Sequence, residues 1–469
     1  MEFALACFPS GGFDPIAGTD RTNSVLAGLQ YDGLYELDQN FRPQPALAVS
    51  GAASEDGRTW TFVLRQGVTF SDGSPLTAAE VVSSLTAAKA SERYAQRLAG
   101  ISAVRAGADG SVEVVLSSPN GDLPALLDIP IVKKSAGPAP LGTGWYVLEQ
   151  SGESWLLRRR PESWREAAHA PETIPLRAVE GTAGLTSAFD SRDVSLVDTD
   201  LTGIGALNLS GSFETTDYAT TDLLYLGFNT ASGACRSTAV RLAVSRGIDR
   251  DSLCSAVLSR HAAASALPVH PHAALYDADS AAALDRDPEG METALTDGGW
   301  SKDDSGAWKR GRSALSLTLV VGQDSSYKSS AAGDIARQLN AAGFDVTVQR
   351  LAWEDYLSAL QNGKFDLYLG EVKLTADFDP SPLLPGGALN YGRYSDQAMA
   401  ALLSAFRAAQ GEERISAAQA LYARLGETAP FAPLCFKNWS VLSQWGQLTG
   451  LAPTQQNVFY QFGNWNFAD

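Results

Sequence analysis

Residues 55–82 read EDGRTWTFVLRQGVTFSDGSPLTAAEVV. Inside this stretch, TWTFVL (Thr59–Leu64) alternates bulky and polar side chains with a period of two, and turn signals flank it, Asp56-Gly57 on one side and Gln66-Gly67 on the other. That pattern predicts a β-strand between turns. Ser71-Asp72-Gly73-Ser74-Pro75 forms a further turn. Thr77, with Glu80 three residues on, then has the spacing of a capping box and predicts a helix over Ala78–Ala90. Strand character returns at 111–116, SVEVVL, so residues 40–140 read as one compact α+β unit.

The pattern changes further along the chain. Residues 315–321 form an apolar strand, 331–341 a helix stopped by Gly343, and 344–348 a second strand. Strand, helix, strand implies a right-handed parallel crossover and hence an α/β lobe. A helix over 353–360, a stop at Gly363 and a strand over 365–369 continue it. Upstream, 223–228 is an apolar strand. The helix expected over 237–258 buries Val240, Val244, Ile248, Leu253 and Val257 and turns Arg241 and Arg246 outward. A last helix over 395–425, broken at Gly411, precedes two extended segments, 431–436 and 440–444, which carry the chain back toward its start. No internal repeat is present.

A chain of 469 residues exceeds what one hydrophobic core supports, which favours two or more lobes. Fifty-three acidic against 36 basic residues, a net charge of −17 with no dense basic block, argue against a nucleic-acid partner. No apolar run is long enough to span a bilayer as a helix. Ala4-Leu5-Ala6-Cys7 resembles the end of a lipoprotein signal, but the charged and apolar regions that belong before such a site are missing. A signal or lipid anchor, if one exists, is expected upstream, and 3–8 reads as a first strand.

The four cysteines, Cys7, Cys235, Cys254 and Cys435, have neither zinc nor redox-pair spacing. Cys235 and Cys254 flank one helical segment and are the favoured disulfide pair, with buried free thiols as the equal alternative; Cys7 and Cys435 read as strand residues facing a core. His270-Pro271-His272 lacks a third ligand and reads as a surface loop, so no metal or other cofactor is expected. Gly203-Ile204-Gly205 is too short for a dinucleotide fingerprint, and no phosphate-binding Gly-x-x-x-x-Gly-Lys loop exists.

Several blocks together carry a resemblance. Asp14-Pro15, Tyr31-Asp32-Gly33-Leu34, Pro45-Ala46-Leu47-Ala48 and above all residues 55–82 resemble the extracytoplasmic solute-binding proteins of ABC transporters in the peptide/nickel group (family 5, cluster C). PLGTGWY (140–146), YLGFNT (225–230), VRLAVSRGIDR (240–250), NGKFDLYL (362–369) and Asp377-Phe378-Asp379-Pro380 follow in the family's order. The resemblance implies an α/β, two-lobed type II periplasmic-binding fold with an extra α+β subdomain in the first lobe. Residues 1–39, 141–228 and 437–469 would form lobe I, 40–140 the inserted subdomain, and 229–436 lobe II. Hinge strands would lie near Phe228-Asn229 and Phe436-Lys437.

By the same implication the protein captures a small ligand, a short peptide or peptide-like compound, by hinge closure and hands it to a membrane-embedded ABC permease. It is expected to be monomeric, extracytoplasmic and not an enzyme. Ligand contact requires residues at the crossovers and strand ends: Asn229, Glu371, Lys373, Asp377, Phe378, Asp379, Asn390 and Tyr391, with Trp145 and Trp439 as stacking surfaces beside Tyr391. Lys373 and Arg393 suit a ligand carboxylate, and Asp377, Asp379 or Glu371 a ligand ammonium.

The acidic motif departs from the family pattern. Relatives carry a tryptophan shortly before it and one more residue within it, whereas Gly370-Glu371-Val372-Lys373 precedes a shortened version here. Two alternatives stand beside solute binding. One is a hydrolase using Asp377 and Asp379, which on an extended strand would point the same way at roughly 7 Å; the other is an accessory or chaperone module with a degenerate cleft.

Overall fold

A computed structural model describes residues 2–166, 169–203, 207 and 209–468. Ile204 and Gly205 of the short glycine turn lie outside the described residues.

The stretch around Trp60 folds as its alternation dictates. Thr59–Leu64 is a strand that buries Trp60, Phe62 and Leu64 on one face. It lies second in a four-stranded antiparallel sheet, between Ala48–Ala53 and Val112–Leu116, with Ile101–Ala106 at the edge. Helix Ala78–Ala90 starts at a complete capping box, Thr77 and Glu80 each satisfying the other's end of the first turn. It packs Val81, Leu85 and Ala88 into the same core, so this subdomain has its own hydrophobic centre.

A seven-stranded mixed sheet runs through both lobes. Its order is Leu196–Thr199, Phe431–Gln444, Phe213–Phe228, Leu367–Lys373, Ser316–Gly322 and Asp345–Leu351, with Ala262–Ala264 paired to Phe431–Gln444. Ser316–Gly322 and Asp345–Leu351 are parallel and joined through helix Ser326–Ala341, the crossover expected from the sequence. A second sheet, Leu5–Cys7, Thr173–Ala178, Ser154–Arg159 and Tyr146–Ser151, builds the first lobe.

Two long strands connect the cores. Along Phe213–Phe228, Tyr218 packs in the first core, while Leu223 and Tyr225 and Leu224, Leu226 and Phe228 pack in those of the second lobe. The chain therefore passes between lobes at 219–222, not at Phe228-Asn229, because the apolar run 223–228 is the second half of one 16-residue strand. The register shift between Ala219 and Leu223 marks the place. On the return, Phe436 packs in the core of Leu223 and Tyr225 and Val441 in that of Tyr218, so the change of core falls between them. The segments 431–436 and 440–444 are one continuous strand.

Other local expectations change in three dimensions. The helix over 237–258 is two helices, Thr238–Gly247 and Arg250–Val257, because Asp249 accepts a hydrogen bond from Ser252 N and starts a new N-terminus. Arg241 does not face solvent; it is buried and donates to the carbonyls of Thr428, Ala429, Cys235 and Arg236, taking up the exposed end of helix Gly411–Thr428. All four cysteines are free and buried, so Cys235 and Cys254 are not bonded. Cys7 and Cys435 are buried strand residues as read. His270 is not on the surface. It is buried between Phe41 and Phe436, and burial together with the nearby His272 pushes its pKa down to about 3.

Among the described residues no helix is long and apolar enough to cross a membrane, and no group of three or more His, Cys, Asp or Glu is arranged to hold a metal.

Candidate ligand cleft

The two lobes turn the carboxyl ends of their strands toward each other. On the first lobe Leu5–Cys7 leads to Phe8, Thr173–Ala178 to helix Gly181–Asp190, and Leu196–Thr199 to Asp200. On the second, Ser316–Gly322 leads to a helix capped by Ser325, and Leu367–Lys373 ends in Lys373. A cavity of about 410 Å³, within the usual range for a small-molecule site, is bordered by Phe8, Arg21, Leu185, Leu196, Asp200 and Trp439. Apolar side chains such as Leu185 and Leu196 share its lining with the charged Arg21, Asp198 and Asp200.

Arg21 opens the helix Arg21–Gln30. Its guanidinium lies 2.5 Å from the Asp198 carboxylate and 3.2 Å from the Tyr218 hydroxyl, and 4.8 Å from the centre of the Trp439 ring. Burial alone would weaken the proton's hold, but Asp198 and Tyr218 outweigh it and raise the Arg21 pKa.

The crossing strands bring a second set of charges together. Lys437 Nζ donates to Asp200 Oδ2 at 2.6 Å and lies 3.4 Å from Glu371 Oε1. Glu371 also receives the Tyr327 hydroxyl and the Lys328 ammonium, the latter at 2.7 Å. Burial pushes the Glu371 pKa up; Lys328 and Lys437 reverse that and hold it below the usual carboxylate range. Lys437 is buried, yet Glu371 and Asp200 raise its pKa against desolvation. A cation on the crossing strand thus joins an anion of each lobe.

Lys373 stands opposite Asp222 in the strand register. Its side chain makes no hydrogen bond or ion pair with the described residues. Its ammonium touches water between walls of protein, and that partial desolvation lowers its pKa; Asp222 opposes the shift, and Arg21, Arg97 and Arg93 add to it. Asp222 Oδ1 is buried without a hydrogen-bond partner among the described residues, and burial raises that carboxyl's pKa.

Of the residues read from the sequence, Trp439 borders this cavity, Glu371 is joined to its edge through Lys437 and Asp200, and Lys373 lies two residues further along the strand of Glu371. The others lie elsewhere. Asn229 is buried at the far end of its strand, donating to the carbonyls of Gly363 and Phe365 and accepting from Ala231 N and Ser232 N. Six residues of strand separate its neighbour Phe228 from Asp222, roughly 20 Å. Asn390 closes a turn on Tyr394, and Tyr391 packs beside Tyr368 at that same far end. Arg393 donates to Gln361 O on the exposed side. Trp145 is a core residue of the first lobe, with Arg165 over its ring.

Asp377, Phe378 and Asp379 are not on a strand; they form a turn with Phe378 in the left-handed region at φ 51°. Asp377 is buried, accepting from Asn120 and Thr375 with Arg414 at 3.9 Å, Phe378 packs on Phe41 and Phe436, and Asp379 pairs with Arg407 at 3.2 Å. Asp379 also accepts from Ser381 N and so starts the turn at Pro380. Both carboxylates are committed to protein partners, and the extended geometry behind the hydrolase alternative is absent.

Arg21, Asp200, Tyr327, Lys328 and Lys437 were not singled out in the sequence. Only the position of Lys437 beside an expected hinge pointed to any of them, since its partners are 66 and 237 residues away.

Two lobes, two connecting strands and a cavity between strand ends define a clamp of the type II periplasmic-binding class. The chain belongs to the bacterial extracellular solute-binding proteins, family 5, whose middle region matches residues 42–391. It is similar to Protein XP55 of Streptomyces lividans, 26% identical over 87% of this chain and 82% of that protein. It is also similar to the oligopeptide-binding protein AppA of Bacillus subtilis, 19% identical over 91% of this chain and 84% of that one. The solved structure of HbpA2 from Haemophilus parasuis covers 100% of both chains with a TM-score of 0.79 at 18% identity.

Proposed function

We propose that this protein captures a short peptide or peptide-like solute between its lobes and delivers it to an ABC permease at the outer face of the cytoplasmic membrane, acting as a lipid-anchored or periplasmic monomer without turnover. The observation that carries this reading is the Lys437 bridge between Asp200 of the first lobe and Glu371 of the second. A ligand shifts a two-state clamp only if it interacts differently with the open and closed forms. Charges of both signs, shared across the crossing strands, suit a zwitterionic ligand in that role. The moving bodies are 223–436 against the remainder, with the first crossing at 219–222.

Within the cleft, Lys373 faces a ligand carboxylate and Trp439 an apolar or planar group, and Glu371 meets a ligand ammonium by exchanging it for Lys328 or Lys437. Similarity to an oligopeptide-binding protein supports peptides as the class to try first. A thermal-shift screen of di- to pentapeptides, peptide-like metal chelators, oligosaccharides and nickel complexes tests the reading. At about 100 times its dissociation constant a true ligand stabilises the protein by roughly 2.7 kcal/mol. Intact peptide recovered after binding supports a carrier; cleaved peptide overturns it, as does a screen in which nothing raises the melting temperature and native mass spectrometry finds no ligand.

A further inference from the structure

Away from the Asp200–Lys437–Glu371 charges, the inserted subdomain reaches across to the second lobe. The loop at 117–122 leaves strand Val112–Leu116 and is held on its own side by Ser117 N donating to Gly100 O at 2.9 Å and Trp60 Nε1 to Asn120 O at 2.9 Å. Asp122 N closes it on Asn120 Oδ1 at 2.8 Å. These contacts lie within the subdomain, so the loop keeps its shape whatever the second lobe does.

The same loop ends a helix of the other lobe. Gly121 N donates to Arg407 O at 2.7 Å, in the last turn of Gln397–Ala408, where carbonyls lack partners within the helix. Asn120 Nδ2 donates to Asp377 Oδ2 at 3.2 Å, and Arg407 to Ser118 Oγ at 3.5 Å. Arg414 lies 4.0 Å from Asp122. A Cβ on Gly121 would lie 1.8 Å from Ala409 O and 3.0 Å from Ala408 O, so the two backbones touch only because residue 121 is glycine. The contacts made by 118–122 are polar, and every group in them can hydrogen-bond to water once separated, as in a reversible inter-domain surface; beside them Phe41 of the subdomain packs on Phe378 and His270, a small apolar contact that must part with them.

We propose that residues 118–122 form an interlobe latch, seating the inserted subdomain on the end of helix Gln397–Ala408 when the clamp is closed and releasing it when the lobes part. This rests on the hinged-clamp reading, but its test needs no ligand. The four native cysteines are buried, so nitroxide labels on Ala108→Cys and Glu412→Cys, both exposed positions, report the distance between subdomain and second lobe by pulsed dipolar spectroscopy.

The ligand-free parent is expected to hold a short-distance population that Gly121→Ala depletes roughly tenfold, the size of effect a forced overlap produces. Gly100→Ala, in the same subdomain with nothing within 4 Å of its Cβ, is expected to leave it unchanged. If Gly121→Ala does not fold, Asn120→Ala replaces it, with about a threefold depletion expected from the lost hydrogen bond. A parent without the short distance, or variants that keep it in full, overturns the latch. Neither result touches the ligand screen, which tests the carrier reading separately.

Discussion

Lys437 donates to Asp200 at 2.6 Å across 237 residues of sequence, and the same ammonium lies 3.4 Å from Glu371 on the opposite lobe. The lysine is buried, so it cannot exchange either carboxylate for water without the lobes moving. Removing its charge strands two partly buried anions against each other. Lys437→Met is expected to lower stability by about 2–4 kcal/mol, with Asp200→Asn in the same chain recovering part of it, both read from urea unfolding.

Lys373 predicts the opposite pattern. Its ammonium has no ion-pair partner among the described residues and is partly desolvated, and three guanidinium groups repel it while Asp222 attracts it, so the folded protein gains little from its charge. Lys373→Met should change the melting temperature hardly at all, by less than about 0.5 kcal/mol in stability. The same variant should weaken, by isothermal titration calorimetry, whichever peptide the screen identifies. A peptide amidated at its carboxyl end should not notice the substitution.

Arg241 holds four carbonyls from one buried guanidinium, an arrangement lysine cannot copy. Arg241→Leu and Arg241→Lys should both destabilise the second lobe, the first by roughly 3 kcal/mol because the carbonyls of Thr428 and Ala429 lose their donor. Denaturant unfolding followed by tryptophan fluorescence reads both.

Asp122 makes the subdomain contact sensitive to pH. Burial raises its pKa from 3.8 to about 7, with Asp377 adding to the shift and Arg414 opposing it. Asp379, whose pKa burial also raises, and Arg407 complete the charges at this contact. A carboxyl whose folded pKa is raised contributes stability that is fully present below about pH 4 and lost as pH climbs through about 7. Asp122→Asn should therefore gain stability relative to the parent between pH 5 and 8, and the gain should level off above pH 8. A difference in melting temperature that stays flat across that range would contradict this origin.

Much of the frame was legible because it is written locally. The Thr77–Glu80 capping box, the Gly343 stop and the alternation of Thr59–Leu64 each act over a few residues, and each appears where it was read. The first crossing was misplaced because a strand of uniform apolar character gives no sign of where one core ends and the next begins. Arg241 was misread for a similar reason: helical periodicity shows which side a residue is on, but not that a second helix ends there.

The sequence by itself determined the class of fold, the subdomain and the family, since these follow from short-range pattern and ordered motifs. Only the tertiary structure decided which charges face the cleft. Asp377 and Asp379 look like ligand carboxylates in the chain, yet Asn120, Arg407 and Arg414, all distant in sequence, claim them. Glu371 and Lys437 become a site because two strands cross at one point. Electrostatic interaction depends on distance through space and on the water excluded between groups, and neither quantity exists until the chain has folded.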